Sequence, residues 1–240
     1  MSKKKFPVLA AVAVLVLAAG LAAFWLLRSR VPNFDRLRDG RDFSVILVTV
    51  DTLRADKLGC YGNPRVKTPA MDAWASAGIR FERCIAQTPL TLPSHTTIMT
   101  GTLPMHHGVR DNGGFVVPAE LETMAEAFKA RGYDTAAFVA AYVLDGKWGL
   151  DQGFDTYFDK FDLSRFEKIS LGEVQRPGNE VVDEALGWLE RNKDGKFFAW
   201  IHLYDPHSPY EPPEPYRSEF PNHAYLGEIA FTDAQLARLW

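Results

Sequence analysis

Length and composition place this chain among globular proteins. Its 240 residues are 47% apolar and 24% charged, which excludes a disordered protein and leaves room for one large domain or two small ones. The first 43 residues hold eight of the 27 Lys and Arg but only three of the 30 Asp and Glu, so residues 44–240 carry a net charge of -8. This acidic body argues against a nucleic-acid-binding protein.

The N-terminal segment has the length of a membrane anchor. Residues 6–27 contain no charged side chain and would form about 33 Å of helix, enough to span a bilayer. The three lysines in residues 1–5 predict a cytoplasmic N-terminus, with the body in the periplasm or outside the cell. A cleaved signal peptide is the alternative, although its apolar run is usually about 7 to 15 residues. Residues 28–43 are charged, contain Pro and Gly, and are typical of a linker.

Strands and helices are predicted to alternate from residue 44 onward. The first strand, SVILVTV, is a continuous apolar, β-branched run typical of a strand buried on both faces. Pro and Gly mark the ends of several helices. The predicted strands are residues 44–50, 79–86, 133–140 and 197–204, and the predicted helices are residues 69–77, 93–100, 118–131, 181–191 and 225–239.

This alternation predicts an α/β fold with a largely parallel central sheet and helices on both faces. The last segment has apolar residues at helical spacing but neither a cap nor a following strand. Residues 44–240 are therefore predicted to be the N-terminal part of a domain that is incomplete at its C-terminus. Cys60 and Cys84 set no disulfide framework, and both a pair and two free thiols remain open.

Polar residues follow two of the predicted strands. Asp51 comes directly after the first strand, and the segment 202–207 closes the last. Ligands of such sheets bind at the carboxyl ends of strands, and a carboxylate there suits a hard cation. Thr91 would lie just ahead of a helix that Pro93 begins, where N–H groups and the helix dipole favour an anionic ester. From spacing alone, a threonine that only caps this helix is the alternative.

Four longer stretches occur together in this chain. They are residues 46–62 (ILVTVDTLRADKLGCYG), residues 68–109 (including TPAMD, TPLTLPSHTTIMTG and HHGV), residues 132–158 (including GYDT, GKW and GFD) and residues 202–239 (including DPHSPY and GEIAFTDAQLARL). Their content and order resemble the sulfatase family of the alkaline-phosphatase-like superfamily. The resemblance implies an alkaline-phosphatase-like fold, a bound divalent metal cation (Ca, Mg, Mn or Zn) and the cleavage of an ester.

The resemblance also implies roles for individual residues. Asp51, Thr52 and Thr91 match metal-ligand positions, and Thr91 occupies the nucleophile position. His207 would face the ester oxygens or the leaving group, and Lys147 matches a substrate-contacting lysine. The implied substrate-binding residues are His95, Asn112 and His202.

The chain departs from the family pattern at several of these positions. Formylglycine sulfatases have Cys or Ser at position 91 and Arg at position 95, where this chain has Thr91 and His95. Oxidation of threonine would give a ketone, so no formylglycine is expected. A threonine ester must be displaced by water or another acceptor, as in related phosphodiesterases and transferases. Thr52 replaces a second Asp, and Gly149 replaces the histidine of GKWH.

The predicted function is that of a membrane-anchored metallohydrolase that cleaves a sulfate or phosphate ester through Thr91. The expected substrate is a small-molecule, glycan or lipid ester, and no nucleic acid is expected. The alternatives are a phospho- or sulfo-transferase of the same superfamily and a non-catalytic, membrane-tethered binding module. The family's remaining metal ligands would lie beyond Trp240, so these 240 residues alone are predicted to be inactive.

Overall fold

The computed structural model describes residues 12–22, 43–165 and 171–239. The chain divides into two compact units, Met1–Arg41 and Asp42–Trp240. In the first unit, residues 12–22 form a helix. Within the described part of the chain, no helix has the length and apolar character needed to cross a membrane. The rest of the predicted span 6–27, and most of the predicted linker, lie outside the described residues.

The second unit contains four strands and seven α-helices among its described residues. The strands are β1 (Val45–Val50), β2 (Asp134–Val139), β3 (Thr156–Phe158) and β4 (Phe197–Leu203). The helices are α1 (Pro69–Ala77), α2 (Thr91–Thr100), α3 (Pro104–His107), α4 (Met124–Lys129), α5 (Gly178–Asn192), α6 (Tyr216–Glu219) and α7 (Ala224–Leu236). Short 3-10 turns lie at Ala55–Lys57, Gly59–Tyr61, Tyr142–Leu144, Gly146–Trp148, Leu163–Arg165 and Ala237–Leu239.

The sheet has the strand order β1-β4-β2-β3, and every pair is parallel. Val50 of β1 lies opposite Leu203 of β4, and Val139 of β2 lies opposite His202. The carboxyl ends of β1, β4 and β2 therefore meet at one edge of the sheet. The predicted α/β fold with a parallel sheet is confirmed.

The hydrophobic core is centred on strand β4. From Phe198 to Leu203 every residue of β4 is buried, and Trp200 has no exposed surface. Such a strand is covered on both faces, which is why FFAWIHL is a nearly continuous apolar run. Burial of one large apolar side chain contributes about 1.5 to 3 kcal/mol. Helices α4 and α5 pack against β2 and β4.

Helix α1 shows how distant parts of the unit are joined. Its bounds match the prediction, with Thr68 preceding it and Gly78 following it. Thr68 does not cap the helix, because its hydroxyl donates to Asp72. The capping carboxylate is instead Asp233 of α7, which accepts from the N–H groups of Ala70 at 3.1 Å and Met71 at 2.9 Å.

Two predicted elements differ from the structure. Residues 79–86 form no strand, and the apolar side chains of Ile79, Phe81 and Ile85 are exposed, because no strand of the described residues pairs with them. The helix predicted for residues 118–131 is only Met124–Lys129. It begins at a capping box in which Thr123 and Glu126 bind each other's backbone N–H groups, a stronger start than Pro118.

Candidate active site

Asp51 extends the parallel ladder at the carboxyl end of β1. Its N–H donates to the carbonyl of Leu203 at 2.9 Å, so its side chain lies beside the end of β4. The side chain is 12% exposed, and Oδ2 is buried without a hydrogen-bond partner. His202 of β4 places Nε2 at 3.7 Å from this oxygen. Ala140 N–H donates to His202 Nδ1 at 3.3 Å, so the proton of a neutral His202 is on Nε2, facing Asp51.

Thr91 is the first residue of α2 and is 7% exposed. Its hydroxyl is close enough to Asp51 to lower the pKa of that carboxyl group. No hydrogen bond of normal geometry among the described residues joins the two side chains, and Asp51 Oδ2 remains without a partner. Thr91 and Asp51 line the same cavity, and the Oδ2 of Asp51 is without a hydrogen-bond partner there.

Asp51 is ionised at neutral pH. Burial by itself raises the pKa of Asp51, but the nearby ring of His202, together with His95 and Thr91, outweighs burial and lowers the pKa to about 2. A carboxyl group with so low a pKa is a poor general base, because it holds a proton only weakly. Its ionised state is the one that binds a cation.

His95 lies about one turn after Thr91 in the same helix, α2. Its ring is 5% exposed, with Nδ1 at 2.8 Å from the carbonyl oxygen of Thr91 and Nε2 at 3.1 Å from Thr49 Oγ1. Burial, with a contribution from His202, lowers the pKa of His95 to about 4, although Asp51 opposes this shift. His95 is therefore neutral at pH 7. Both of its ring nitrogens face protein groups.

The N-terminus of α2 offers few N–H groups to a ligand. Leu92 N–H donates to Asn112 Oδ1 at 2.9 Å, and Ser94 N–H donates to the carbonyl of Leu90 at 3.0 Å. Pro93 has no N–H. In the described residues, only the Thr91 N–H of the first four positions is without a partner. Asn112, predicted to bind substrate, thus holds the helix that carries Thr91.

Thr52 connects the loop after β1 to the loop after β4. Its backbone is left-handed with φ 50°, which is strained for a β-branched residue. Its hydroxyl donates to the carbonyl of Pro206 at 2.5 Å, and its own carbonyl accepts from the hydroxyl of Tyr225 at 2.7 Å. The hydroxyl proton of this predicted metal ligand is therefore directed at the segment that leads to His207.

His207 continues a row of rings along the edge of the sheet. Its ring stacks on Tyr204 with centroids 4.1 Å apart, and Tyr204 lies 5.9 Å from His202. Nδ1 donates to the carbonyl of Ser208 at 2.7 Å, because that carbonyl can only accept. Nε2 of a neutral His207 is therefore unprotonated. His207 is partly exposed, so this nitrogen is available to exchange protons.

Lys147 lies in the 3-10 turn Gly146–Trp148 and is exposed. Its ammonium group lies 3.6 Å from the ring centre of Tyr142 and 4.8 Å from that of Trp148. No hydrogen bond or ion pair of the described residues joins Lys147 to Asp51 or Thr91. Gly149 ends this turn at φ 84°, and a Cβ there would lie 2.9 Å from the carbonyl of Val117. A histidine at position 149 would not fit this backbone.

A cavity of about 470 Å³ lies against the site and is lined by Asp51, Thr52, Thr91 and His95, among others. The free Oδ2 of Asp51 fits a cation, but this is one carboxylate with hydroxyl groups beside it. No group of three or more His, Cys, Asp or Glu side chains suited to a metal is found within the described residues. Hard cations take six or more oxygen ligands, so the described residues supply too few ligands to hold such a cation by themselves.

Two residues of the site were not predicted from the sequence. Thr49 of β1 contacts His95, and Trp200 Nε1 donates to Thr49 Oγ1 at 3.0 Å. A threonine within the otherwise apolar run VILVTV was the available signal. Trp200 gave no such signal, because a tryptophan in a buried strand is ordinary core composition. Cys60 and Cys84 are both free thiols in the structure.

Known proteins with sequences similar to this chain include sulfatases. An ulvan-active sulfatase of Formosa agariphila is 29% identical over 203 residues, which are 74% of this chain and 38% of that protein. An N-acetylglucosamine-6-O-sulfatase of Bacteroides thetaiotaomicron is 29% identical over 183 residues, 70% of this chain and 31% of that protein. The chain thus spans about a third of the length of these relatives.

The fold is also found in solved structures. The phosphonate monoester hydrolase of Agrobacterium radiobacter superposes with a TM-score of 0.66 at 23% identity, covering 82% of this chain and 58% of that one. At this identity the likeness shows the fold alone. The sequence model of the Sulfatase family matches residues 44–240. The chain therefore belongs to the sulfatase family.

Proposed function

We propose that residues 44–240 are the N-terminal part of a metal-dependent hydrolase that cleaves a sulfate or phosphate ester with Thr91 as nucleophile. One observation carries the proposal. The Thr91 hydroxyl lies beside an ionised carboxylate, Asp51, whose buried Oδ2 has no partner, and both line the same cavity. Sulfatase relatives support the hydrolysis of a sulfate ester.

Asp51 would hold a divalent cation together with Thr91 and, less directly, Thr52. When bound, such a cation lowers the pKa of a hydroxyl group and neutralises the non-bridging oxygens of the ester. The described residues supply one carboxylate for it. His202 Nε2–H, at 3.7 Å, would keep Asp51 ionised as a ligand, and the proton of Thr91 would pass to solvent water in the cavity as the new bond forms.

The remaining predicted residues would act on the ester. Thr91 Oγ would form a bond to sulfur or phosphorus as the bond to the leaving oxygen breaks. Protonated through Nε2, His207 could give that proton to the leaving oxygen, while its Nδ1–H stays on the Ser208 carbonyl. Lys147 would contribute positive charge on the substrate side. The ester on Thr91 would then be released when water displaces Thr91 Oγ.

The exposed edge of β1 supports the proposal that these residues are part of a larger domain. β1 lies at the edge of the sheet, and Ile46 is 41% exposed although the strand is as apolar as a buried one. Unpaired apolar edge strands invite pairing with another strand. We propose that further chain pairs there and supplies the missing metal ligands, so the 240 residues alone would be inactive.

For substrate and location we propose a glycan or other small ester and a membrane-anchored protein. A relative is named for a sugar sulfate, N-acetylglucosamine-6-O-sulfate, which supports the glycan. The uncharged segment 6–27 supports a single-pass anchor with a cytoplasmic N-terminus and a periplasmic or extracellular body. Protease treatment of spheroplasts would digest residues 44–240 if this topology holds, and protection of them would contradict it.

The nucleophile is tested by comparing Thr91→Ala with Thr91→Ser in a chain that carries the remaining ligands. The assay uses aryl sulfate, phosphate monoester and phosphate diester substrates. We expect Thr91→Ala to lower kcat at least about a thousandfold, and Thr91→Ser to retain measurable activity. Unchanged activity of Thr91→Ala would exclude Thr91 as nucleophile. Metal-dependent hydrolysis by the 240-residue chain alone would contradict the proposed missing ligands.

The same assay separates the two alternative functions. A transferase is favoured by the unmodified Thr91, because a threonine ester can be displaced by an alcohol as well as by water. Product that forms only after an alcohol acceptor is added would show a transferase. A binding module is favoured by the single carboxylate of the described site. A chain with all its ligands that binds the esters without cleaving them would show a binding module.

A further inference from the structure

We propose that Trp200 and Thr49 are positioning residues for the reaction, because they fix the proton of His95 on Nδ1 and thereby hold the residue that carries the nucleophile. The proposal rests on the proposed role of Thr91. It assigns His95 a role through Thr91, where the family resemblance implied a contact with substrate. The four groups form one chain of contacts from the core strand β4 to the start of α2.

The direction of the first contact is unambiguous. The indole N–H of Trp200 can only donate, and it points at Thr49 Oγ1 at 3.0 Å. The hydroxyl oxygen of Thr49 accepts this hydrogen bond, and the hydroxyl proton remains to be donated to another group. Among the described residues, the acceptor within reach is His95 Nε2 at 3.1 Å. That nitrogen must therefore be unprotonated to receive it.

The second contact follows from the first. With Nε2 unprotonated, the proton of His95 is on Nδ1, which lies 2.8 Å from the carbonyl oxygen of Thr91. A carbonyl oxygen can only accept, so this is a regular hydrogen bond. In the opposite tautomer, the lone pair of Nδ1 would face the lone pairs of this oxygen, and the Thr49 proton would have no acceptor. The network therefore admits one tautomer.

Burial of Trp200 and His95 makes the loss of either hydrogen bond costly. Trp200 has no exposed surface and His95 is 5% exposed, whereas Thr49 is partly buried and lines the cavity. An unsatisfied buried polar group costs about 1 to 3 kcal/mol. His95 also contacts His202 edge to face, with ring centroids 4.9 Å apart. A change in the ring of His95 would therefore reach both Thr91 and the histidine that faces Asp51.

The first test is the nitrogen NMR spectrum of histidine-labelled 240-residue chain at neutral pH. We expect the resonance of His95 to show a single neutral Nδ1–H tautomer. Thr49→Val, which keeps the shape and removes the hydroxyl, is expected to shift the Nε2 resonance, because that nitrogen loses its donor, and Thr49→Ser is expected to restore it. A wild-type Nε2–H tautomer, or an unchanged spectrum in Thr49→Val, would overturn the proposal.

The matched control is Thr96→Val in the same helix. Thr96 is fully buried, and its hydroxyl donates to the carbonyl of Leu92 at 2.8 Å, so the loss of one buried hydroxyl is comparable. We expect the His95 spectrum to be unchanged in this variant. A shift as large as that of Thr49→Val would mean that any loss of packing disturbs His95, which would also overturn the proposal.

The second test measures kcat and KM in a chain that carries the remaining metal ligands. Thr49→Val and Trp200→Phe, each of which removes one donor, are expected to lower kcat about tenfold with little change in KM. Should Thr49→Val fail to fold, Trp200→Phe keeps the test decisive in both assays. Full activity of Thr91→Ala would refute the nucleophile and leave the NMR result standing. An unchanged kcat in both network variants would refute the positioning role alone.

Discussion

Asp51 and Asp205 lie after adjacent strands at the same edge of the sheet, and their surroundings differ. Each has an Oδ2 that is buried without a hydrogen-bond partner. The pKa of Asp51 is lowered to about 2, because His202, His95 and Thr91 together outweigh burial. The pKa of Asp205 is raised to about 6 by burial, although the N–H of Gly178 donates to its Oδ1 at 2.9 Å.

The comparison teaches that the neighbours of a strand-end carboxyl group decide whether its pKa is raised or lowered. Around Asp51 the nearby side chains of His202, His95 and Thr91 favour the ionised form. Asp205 lines a separate cavity of about 340 Å³ with another acid, Glu228, whose pKa is raised to about 7. The position of an acid in the sheet does not by itself distinguish a metal ligand from a buried structural acid.

Substitution of His202 by leucine should raise the pKa of Asp51, as burial raises the pKa of Asp205. Removal of the Nε2–H leaves a buried carboxylate without its main stabilising neighbour, so we expect a loss of about 3 kcal/mol in the free energy of unfolding at pH 7. Urea unfolding with a chelator present measures it. The loss should shrink toward pH 4, as Asp51 in the variant takes up a proton. An equal loss of stability at pH 7 and pH 4 would contradict this role of His202. The matched control is His223→Leu, which replaces an exposed histidine.

The acid pair of Asp205 and Glu228 should make stability fall as pH rises. Burial raises the pKa of Glu228 to about 7, Asp205 and Glu211 add to the rise, and the Glu211 N–H and Arg217 oppose it. A carboxyl group whose pKa is raised by folding contributes its full stabilisation below the pKa of the unfolded chain, about 4.3. This contribution is lost as the pH rises through the pKa of the folded protein.

Glu228→Gln tests this pH dependence and keeps an acceptor for the Glu211 N–H, which binds Oε1 at 2.7 Å. We expect the free energy of unfolding of the variant, relative to wild type, to rise by about 2 kcal/mol between pH 4.5 and pH 8. Urea unfolding at several pH values measures it. The exposed Glu219→Gln should show no such trend, and parallel curves for Glu228→Gln and wild type would refute the shifted pKa.

Gly178→Ala should displace the carboxyl group of Asp205. A Cβ at this position would lie 2.5 Å from Asp205 Oδ2, and we expect a loss of about 1 to 2 kcal/mol through overpacking. Gly187→Ala in the same helix is the matched control, since its Cβ would meet only the tip of Arg191 at 3.5 Å. That change should stabilise by about 0.5 to 1 kcal/mol. Equal effects at both positions would contradict the contact with Asp205.

Thr52→Ala should have the smallest effect. It removes the hydroxyl that donates to Pro206 and keeps the left-handed backbone, so a loss of about 1 kcal/mol is expected. Thr52→Gly loses the same hydrogen bond but relieves the strain, and it should be more stable than Thr52→Ala. Thermal unfolding of the two variants measures the difference. The reverse order would show that the backbone of Thr52 is not strained.

The sequence by itself determined several elements of the fold. β1, β4, α1 and α2 could be predicted within one or two residues, because long apolar runs, Pro69, Gly78 and Gly101 are local signals. The residues proposed for the reaction remain predictions, although the structure brings Asp51, Thr91 and His202 together.

Only the tertiary structure decided which of these residues act on one another. Residues 79–86 have the composition of a strand but pair with no strand of the described residues, because pairing depends on distant parts of the chain. Thr49 and Trp200 are 151 residues apart and meet His95 only because β1 and β4 are neighbours. The opposite pKa shifts of Asp51 and Asp205 have the same origin. Hydrogen bonds and charges act across space, and sequence patterns record only neighbours along the chain.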